Sequence, residues 1–385
     1  MTEATTIDTD ILIIGAGPVG MTLALVLAEN EQRVLLLDSR LRGSFAGDPR
    51  ALALSHGTRQ LLERLNAWNS VAGTAIHDIH VSQRGGFGRT QITRDEMAVE
   101  ALGYVMRYRD LAAALDARLP EGCILDACNL ESLTIREEAA IATIHRSGRK
   151  LEIRAKLVVH AEGTPGDSAS VKVNDYHQHA VLAEVRPDPA HQHRAWERFT
   201  PDGPLALLPL GEDYSVVFTV PPAKSDVLMA MDDTAFLAAL QDQFGTRLRF
   251  TATSARARFP LALRLRKKLA AHREIWIGNA AQTLHPVSGQ GFNLGIRDAW
   301  ELAETLLAQP RGDPGATQVL AAHARTRSLD RLGSAAFTDG IVRTFSNDAV
   351  PLRLARGLGL LALDLCPPAR KFVASRMIWG ARAWP

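Results

Sequence analysis

The chain has 385 residues, 46% of them hydrophobic and 22% charged, a composition that allows two domains and a sizeable core. A formal net charge of +2 gives no reason to expect a nucleic-acid partner, and the three cysteines, Cys123, Cys128 and Cys366, form neither a CxxC pair nor a zinc spacing. The polar, acidic start MTEATTIDTD does not read as a secretory signal, and no stretch reaches the roughly 20 apolar residues of a membrane span, so a cytoplasmic protein is expected.

The first 40 residues carry a strand, a glycine turn, a helix and a second strand. DILIIG is a short apolar, β-branched run that reads as a buried strand. It breaks at Gly15-Ala16-Gly17-Pro18-Val19-Gly20, a G-x-G-x-x-G with Pro18 at a tolerated first-turn position of the helix PVGMTLALVLAEN. RVLLLD follows as a second buried strand ending at Asp38. In this context Gly15 serves the tight turn, Gly17 the approach of a pyrophosphate, Gly20 helix–strand packing and Asp38 the ribose hydroxyls. The unit fits NAD and FAD equally. No second such motif appears, and a distant glycine-rich loop does, which suggests one large two-ended ligand such as FAD.

Further along, KLVV is an apolar strand that delivers Glu162-Gly163 to the edge of the sheet. HAVLAEVR, GPLALLPLG and YSVVFTVP alternate like antiparallel strands, with turns at Asp202-Gly203 and Gly211-Glu212. VRPDPAHQHRAWERF reads as a mobile polar connector between them. His77, His80, His177, His179, His191 and His193 cluster, but no cysteine or carboxylate set completes a metal geometry, and no metal site is expected. GNAAQTLHPVSGQGFNLGIRDA, residues 278–299, collects glycines ahead of a helix expected to start near Phe292. It reads either as a ligand cradle facing the helix N-terminus or as an ordinary surface loop with a good helix start. The last 35 residues hold six Lys or Arg against one Asp among Leu, Phe, Ile and Trp. Leu358–Leu365 is expected to close the nucleotide domain, and Arg370–Trp384 to meet anionic lipid.

DILIIGAGPVG, DPRALALSHGTRQLLERL and the 278–299 loop together resemble the single-component FAD-dependent aromatic hydroxylases, over nearly the whole chain. With ERFTPDGPLALLPL, the pattern is most similar to the bacterial ubiquinone-biosynthesis hydroxylases acting on 2-polyprenyl-6-methoxyphenol. The resemblance implies an α/β fold: a Rossmann-like FAD-binding domain with a parallel sheet (1–75, 100–175 and 270–340), interleaved with a mostly antiparallel substrate domain (76–99 and 176–269), and a C-terminal helical, basic segment (341–385).

It also implies that Asn279 sits by the ribityl hydroxyls, where most relatives have Asp. His285, Pro286, Gly289, Gln290, Gly291, Phe292 and Asn293 would flank the isoalloxazine, with His285 read either as the best candidate for a polar catalytic role near the ring or as a histidine that holds the loop through backbone hydrogen bonds. Arg50 and, more loosely, Arg109 match positions that reach FAD phosphates or the nicotinamide cofactor. Glu162-Gly163 stands where relatives carry Asp-Gly, and His160 where they carry glycine, a departure that bears on reductant binding.

The implied cycle has NAD(P)H reduce FAD, O2 add to form a C4a-hydroperoxide, and one oxygen pass to an electron-rich phenol. The implied partners are a lipophilic prenylated phenol, O2, the inner face of the cytoplasmic membrane and a ubiquinone-biosynthesis complex. Two alternatives stand beside this: a related hydroxylase of a smaller aromatic, and a non-catalytic, flavoprotein-like assembly subunit.

Overall fold

The computed structural model describes residues 5–68, 73–309, 312–346 and 350–379. The first strand, Thr5–Ile14, lies between Val34–Leu37 and Arg149–His160 and runs parallel to both. Glu274–Trp276 and Ile124–Leu125 extend this parallel sheet on either side. A hairpin of Asn129–Ile135 and Ala140–Arg146 adds antiparallel pairing to the first half of Arg149–His160. Alternate residues of the first strand serve opposite cores. Ile11 and Ile13 pack with Met21, Leu157 and Leu302, whereas Leu12 and Ile14 pack with Leu35, Ile144 and Val158. Both faces are buried, which is why the strand reads as a continuous apolar run. The helix Pro18–Ala28 is wedged between this sheet and the helix Gln290–Leu307, so Met21, Leu23, Leu25, Val26 and Leu27 are all buried.

The second sheet has nine strands and is mostly antiparallel. Its spine is the long strand Val171–Asp188, flanked by Asp213–Val220 and Ala257–Arg266, with Gly203–Leu210 and Arg194–Thr200 beyond. Arg194–Thr200 then pairs in parallel with Asp78–Gln83, joining segments more than a hundred residues apart. The long strand crosses the expected domain boundary at residue 175, and Gln282–Thr283 pairs with Arg264 and Leu265, beyond the expected limit of 269. Both expected hairpin turns, at Asp202-Gly203 and Gly211-Glu212, are present.

The expected mobile connector is instead largely strand, the end of Val171–Asp188 and most of Arg194–Thr200. Its histidines act as backbone clips. His191 Nε2 lies 2.7 Å from the Gly211 carbonyl and His193 Nδ1 3.0 Å from that of Ala75. Among the described residues no three His, Cys, Asp or Glu side chains group as a metal site.

The chain ends in three helices, Thr317–Phe345, Val350–Leu365 and Pro367–Trp379. Among the described residues, no helix is long and apolar enough to cross a membrane. The first of the three anchors the nucleotide domain through Arg327, which is 1% exposed. Its guanidinium donates to Asp298 (2.8 Å), Glu301 (2.7 Å) and Asp330 (2.8 Å). Asp298, on the helix Gln290–Leu307, in turn accepts from the Gly278 backbone N–H (3.0 Å) and the Gln282 amide (2.6 Å). Removing one partner from such a buried network leaves the rest uncompensated. Arg327→Met is therefore expected to lower the unfolding free energy by about 3–5 kcal/mol, read as a lower urea midpoint at unchanged slope.

Candidate active site

The three segments singled out in the sequence meet at one cleft of about 540 Å3, within the roughly 300–1,000 Å3 typical of ligand sites. Its floor is the first glycine turn, one wall is the 278–299 loop, and Leu208 and Val217 of the second sheet face inward.

The three glycines of the first turn have separate physical roles. At Gly15, with φ +105°, a Cβ would come within 2.5 Å of the Ala161 carbonyl oxygen, so only glycine fits. At Gly20 a Cβ would lie 2.0 Å from the Gly15 carbonyl oxygen, so its absence lets helix and turn touch. At Gly17 the nearest atom to a Cβ is the Tyr108 hydroxyl at an ordinary 3.5 Å. Nothing in the protein excludes a side chain there, and the bare backbone it leaves lines the cleft. Pro18 lines it too, at the first turn of the helix.

The expected charged residues reach the cleft already paired. Asp38 accepts from the backbone of Ala16 (2.9 Å) and Arg40 (2.8 Å) and meets the Arg40 guanidinium at 3.1 Å. Burial pushes its carboxyl up, but these donors outweigh burial and hold it below its ordinary value. Arg50 is gripped by Asp48 at 2.6 and 2.9 Å and lies 4.5 Å over the Tyr108 ring.

Glu162 and Gly163 both line the cleft, and Glu162 lies 3.2 Å from His160 Nδ1. His160 is buried; its Nε2 is 3.0 Å from Glu274 and its ring stacks on Trp276 at 4.8 Å. Burial lowers the His160 imidazole, but the two carboxylates outweigh it and raise the value overall. The His-for-Gly departure is thus built into the sheet edge as a clamp on Glu162.

In the 278–299 loop, Asn279, His285, Pro286, Gly289, Gly291 and Phe292 line the cleft. The helix starts at Gln290, two residues before the expected point, and its N-terminus has no side-chain cap. Its first-turn N–H groups are left for a ligand. His285 is 1% exposed; its Nδ1 accepts from the Val287 N–H at 3.1 Å, which places the proton of the neutral ring on Nε2. That Nε2 is buried without a partner, and burial pulls the imidazole down to about 4.

Four expected residues lie off the cleft or serve it from behind. Asn293 is 2% exposed and turns inward, accepting from the Ser55 N–H (2.8 Å) and donating to the carbonyls of Ala53 and Gly289 (2.9 Å each). Gln290 donates to the Met377 carbonyl at 3.2 Å, and Gly20 packs beneath the turn. Arg109 is exposed, 3.8 Å from Asp110, and does not line the cleft; the preceding Tyr108 does.

Sequence reasoning overlooked Tyr108, Asp298 and Glu197. Asp298 stood in the quoted loop motif as its one acid, with Glu301 following a turn later on the same helix face. Glu197 pairs across the sheet with Ala206, which pairs with the cleft residue Val217, so all three share one face. One Glu197 carboxylate oxygen is buried without a partner, and burial pushes the carboxyl up to about 8.

An uncapped helix start and a glycine whose missing side chain only a ligand would notice together fit a dinucleotide, as FAD is. Gly17→Ala is expected to retain the wild-type melting temperature yet lose FAD affinity at least about tenfold, whereas Gly20→Ala lowers the melting temperature itself. Equilibrium dialysis with FAD and thermal unfolding separate the two.

His285 binds protons more weakly folded than unfolded, between its ordinary 6.5 and about 4. The unfolded chain therefore binds more protons in that window, and stability falls as pH drops through it. Denaturation at pH 7 and pH 4.5 is expected to show His285→Asn losing about 2–3 kcal/mol less than wild type over that interval.

The chain matches the FAD binding domain family over residues 8–331. It is 34% identical to the ubiquinone hydroxylase UbiL of Rhodospirillum rubrum, across 94% of this chain and 87% of that protein. It is 30% identical to the 3-demethoxyubiquinol 3-hydroxylase of Escherichia coli, across 92% and 95% of the two chains. Among solved structures, p-nitrophenol 4-monooxygenase PnpA from Pseudomonas putida shares the fold, with a TM-score of 0.79 at 18% identity, over 98% of this chain and all of that one. The architecture, the cleft and these similarities together place the chain in the family of FAD-dependent aromatic-ring monooxygenases.

Proposed function

We propose that this enzyme hydroxylates the ring of a polyprenylated methoxyphenol in ubiquinone biosynthesis, with NAD(P)H as the transient reductant and O2 as the oxygen source. The observation that carries the reading is the pairing of two unlike walls. The 278–299 loop offers an uncapped helix N-terminus, while Leu208, Val217 and Leu284 line the same cleft with apolar surface.

FAD, when bound, supplies electron transfer from the nicotinamide and the activation of O2. Gly17 and the first helix start would receive its pyrophosphate. Asp38 would take the ribose hydroxyls once the exposed Arg40 swings aside, and Asn279 offers an amide to the ribityl hydroxyls. His285 stays neutral at physiological pH, its Nδ1 holding the loop through the Val287 N–H and its ring packed on Tyr176, so it positions the loop and does not act as a base. Glu197, protonated up to about pH 8 and facing the apolar wall's side of the sheet, is placed to exchange a hydrogen bond with a phenolic hydroxyl. The apolar side chains exclude water from the reacting ring.

We assign lipid contact chiefly to the helix before the expected segment, with exposed Lys371, Phe372 and Arg376 of that segment beside it. Arg370 is held by Glu96 through two bonds of 2.8 Å, Trp379 packs on His56, and 380–385 lie outside the described residues. On Val350–Leu365, however, Leu354, Leu358, Leu361 and Leu365 are exposed at spacings of four, three and four, hence on one helix face. Exposed Phe372, Lys371 and Arg376 sit on the following helix. This face would rest on an anionic membrane surface and receive the lipid there, and association with other enzymes of the pathway would keep the intermediate at that surface.

The deciding experiment is the absorbance spectrum of the purified protein with released flavin counted, then supply of NADH or NADPH without oxygen, and finally of 18O2 with prenylated and short-chain methoxyphenols. Near-stoichiometric FAD, bleaching by a nicotinamide and one 18O in the prenylated product are expected. Turnover of short phenols alone points to the smaller-aromatic hydroxylase. A protein that refuses FAD points to the assembly subunit.

A further inference from the structure

Behind the flavin-loop wall lies a second cavity, of about 70 Å3, which the reading above leaves unused. It shares two residues with the main cleft, Ala53 and Gly289. These are the smallest side chains available, and a Cβ built at Gly289 would come within 3.2 Å of the Ala53 Cβ. The two spaces therefore meet at residues whose side chains are no larger than a methyl group. Its position is fixed by Asn293, whose amide donates to both the Ala53 and Gly289 carbonyls.

The cavity's chemistry is aliphatic. Ile76, Ile79 and Ile92 come from the substrate domain, Leu102 from the nucleotide domain, and Met377 and Ile378 from the last helix. The polar side chains on its rim already bond within the protein. Ser55 meets Thr58 at 3.1 Å, Asn293 makes three bonds, and Gln290 donates to the Met377 carbonyl. An occupant gains burial there and finds no hydrogen bond left to make, so it has to be a hydrocarbon.

The register of the second sheet ties this cavity to the substrate wall. Ile92 pairs with Ile79, Ile79 with Ala195, and Glu197 follows two residues along the same face. The isoleucines and the Glu197 carboxyl thus lie side by side, apolar next to polar, as the tail and the ring hydroxyl of a prenylated phenol do. The last helix, which closes the cavity, follows directly on the helix that carries the exposed leucines.

Resting on the proposed function, we infer that this aliphatic cavity between Ile79, Ile92 and Met377 is a binding subsite for the ring-proximal isoprene unit of the substrate's tail. One isoprene unit is five carbons, in keeping with a small cavity that opens outward. Longer tails extend past Met377 toward the leucine face, so the subsite reads the presence of a tail and not its full length.

The test compares wild type with Met377→Trp, which fills the cavity, and Met377→Ala, which enlarges it. Met377 is only partly buried and lines the small cavity without lining the main cleft. Substrates are 2-methoxyphenol and its geranylated counterpart, and FAD per chain is counted for each variant. Met377→Trp is expected to raise KM for the geranylated ring at least about tenfold, with KM for the bare ring and FAD content unchanged. Met377→Ala shifts the geranylated KM less than threefold.

Equal effects on both rings, or no effect on either, overturn the subsite. Should wild type turn over neither ring, the functional reading fails, and the subsite is then read from geraniol binding by calorimetry. Binding to wild type that is lost in Met377→Trp supports it, and absence of binding, or equal binding to both, overturns it.

Discussion

The site depends on a buried carboxylate that never touches the ligand space. A loop built from glycine, alanine and proline has few side chains with which to fix its own path, so its geometry has to be imported. Asp298 supplies it by accepting from the Gly278 N–H and the Gln282 amide, and Arg327 from the following helix makes the buried charge tolerable. Because Asp298 lies about two turns into the helix whose N-terminus faces the cleft, one element both presents the donors and holds the loop before them. Asn293, one turn in, ties the same helix to Ala53 and Ser55 of a third segment. The cradle is therefore as rigid as the cluster of Asp298, Glu301, Asp330 and the arginines around them, Arg297, Arg327 and Arg331.

Much of this was legible in the sequence, wherever a local rule decided the outcome. The strand–glycine–helix–strand unit ends at Asp38 as read, because apolar runs buried on both faces and glycines at close approaches leave little choice. The hairpin turns of the second sheet and the loop-before-helix at 278–299 were visible for the same reason. Non-local decisions were not visible. The segment 185–199 reads as a polar connector, yet its histidines bond to the backbones of Ala75 and Gly211, partners that only the folded sheet brings near. A motif position also does not say which way a side chain turns. Asn293 and Gln290 belong to the loop signature but hold its back, and Arg109 sits one residue past the helix start while Tyr108 takes the cleft side.

The charged residues of the cleft share a second feature that spacing alone concealed. Asp38 is matched by Arg40, Arg50 by Asp48 and Glu162 by His160. Each group expected to meet a ligand thus has a protein partner nearby, which holds its direction. The exchange that binding requires is cheap where the partner is an exposed arginine such as Arg40, and dearer at Glu162, whose partner His160 is locked between Glu274 and Trp276. The His160 substitution therefore fixes the lengthened carboxylate in one place, compensating for the extra methylene by restricting it.

Against these paired charges stand the groups without partners. His285 Nε2, the shielded oxygen of Glu197 and the Thr90 hydroxyl are all buried with no hydrogen bond made. Thr90 lies on the Glu197 side of the sheet, across Val81. Each such atom costs about 1–3 kcal/mol relative to a satisfied one. A ligand hydroxyl bonded to the Glu197 carboxyl would return that cost as binding free energy. A site with no such ligand would be free to replace Glu197 with an apolar residue of similar size.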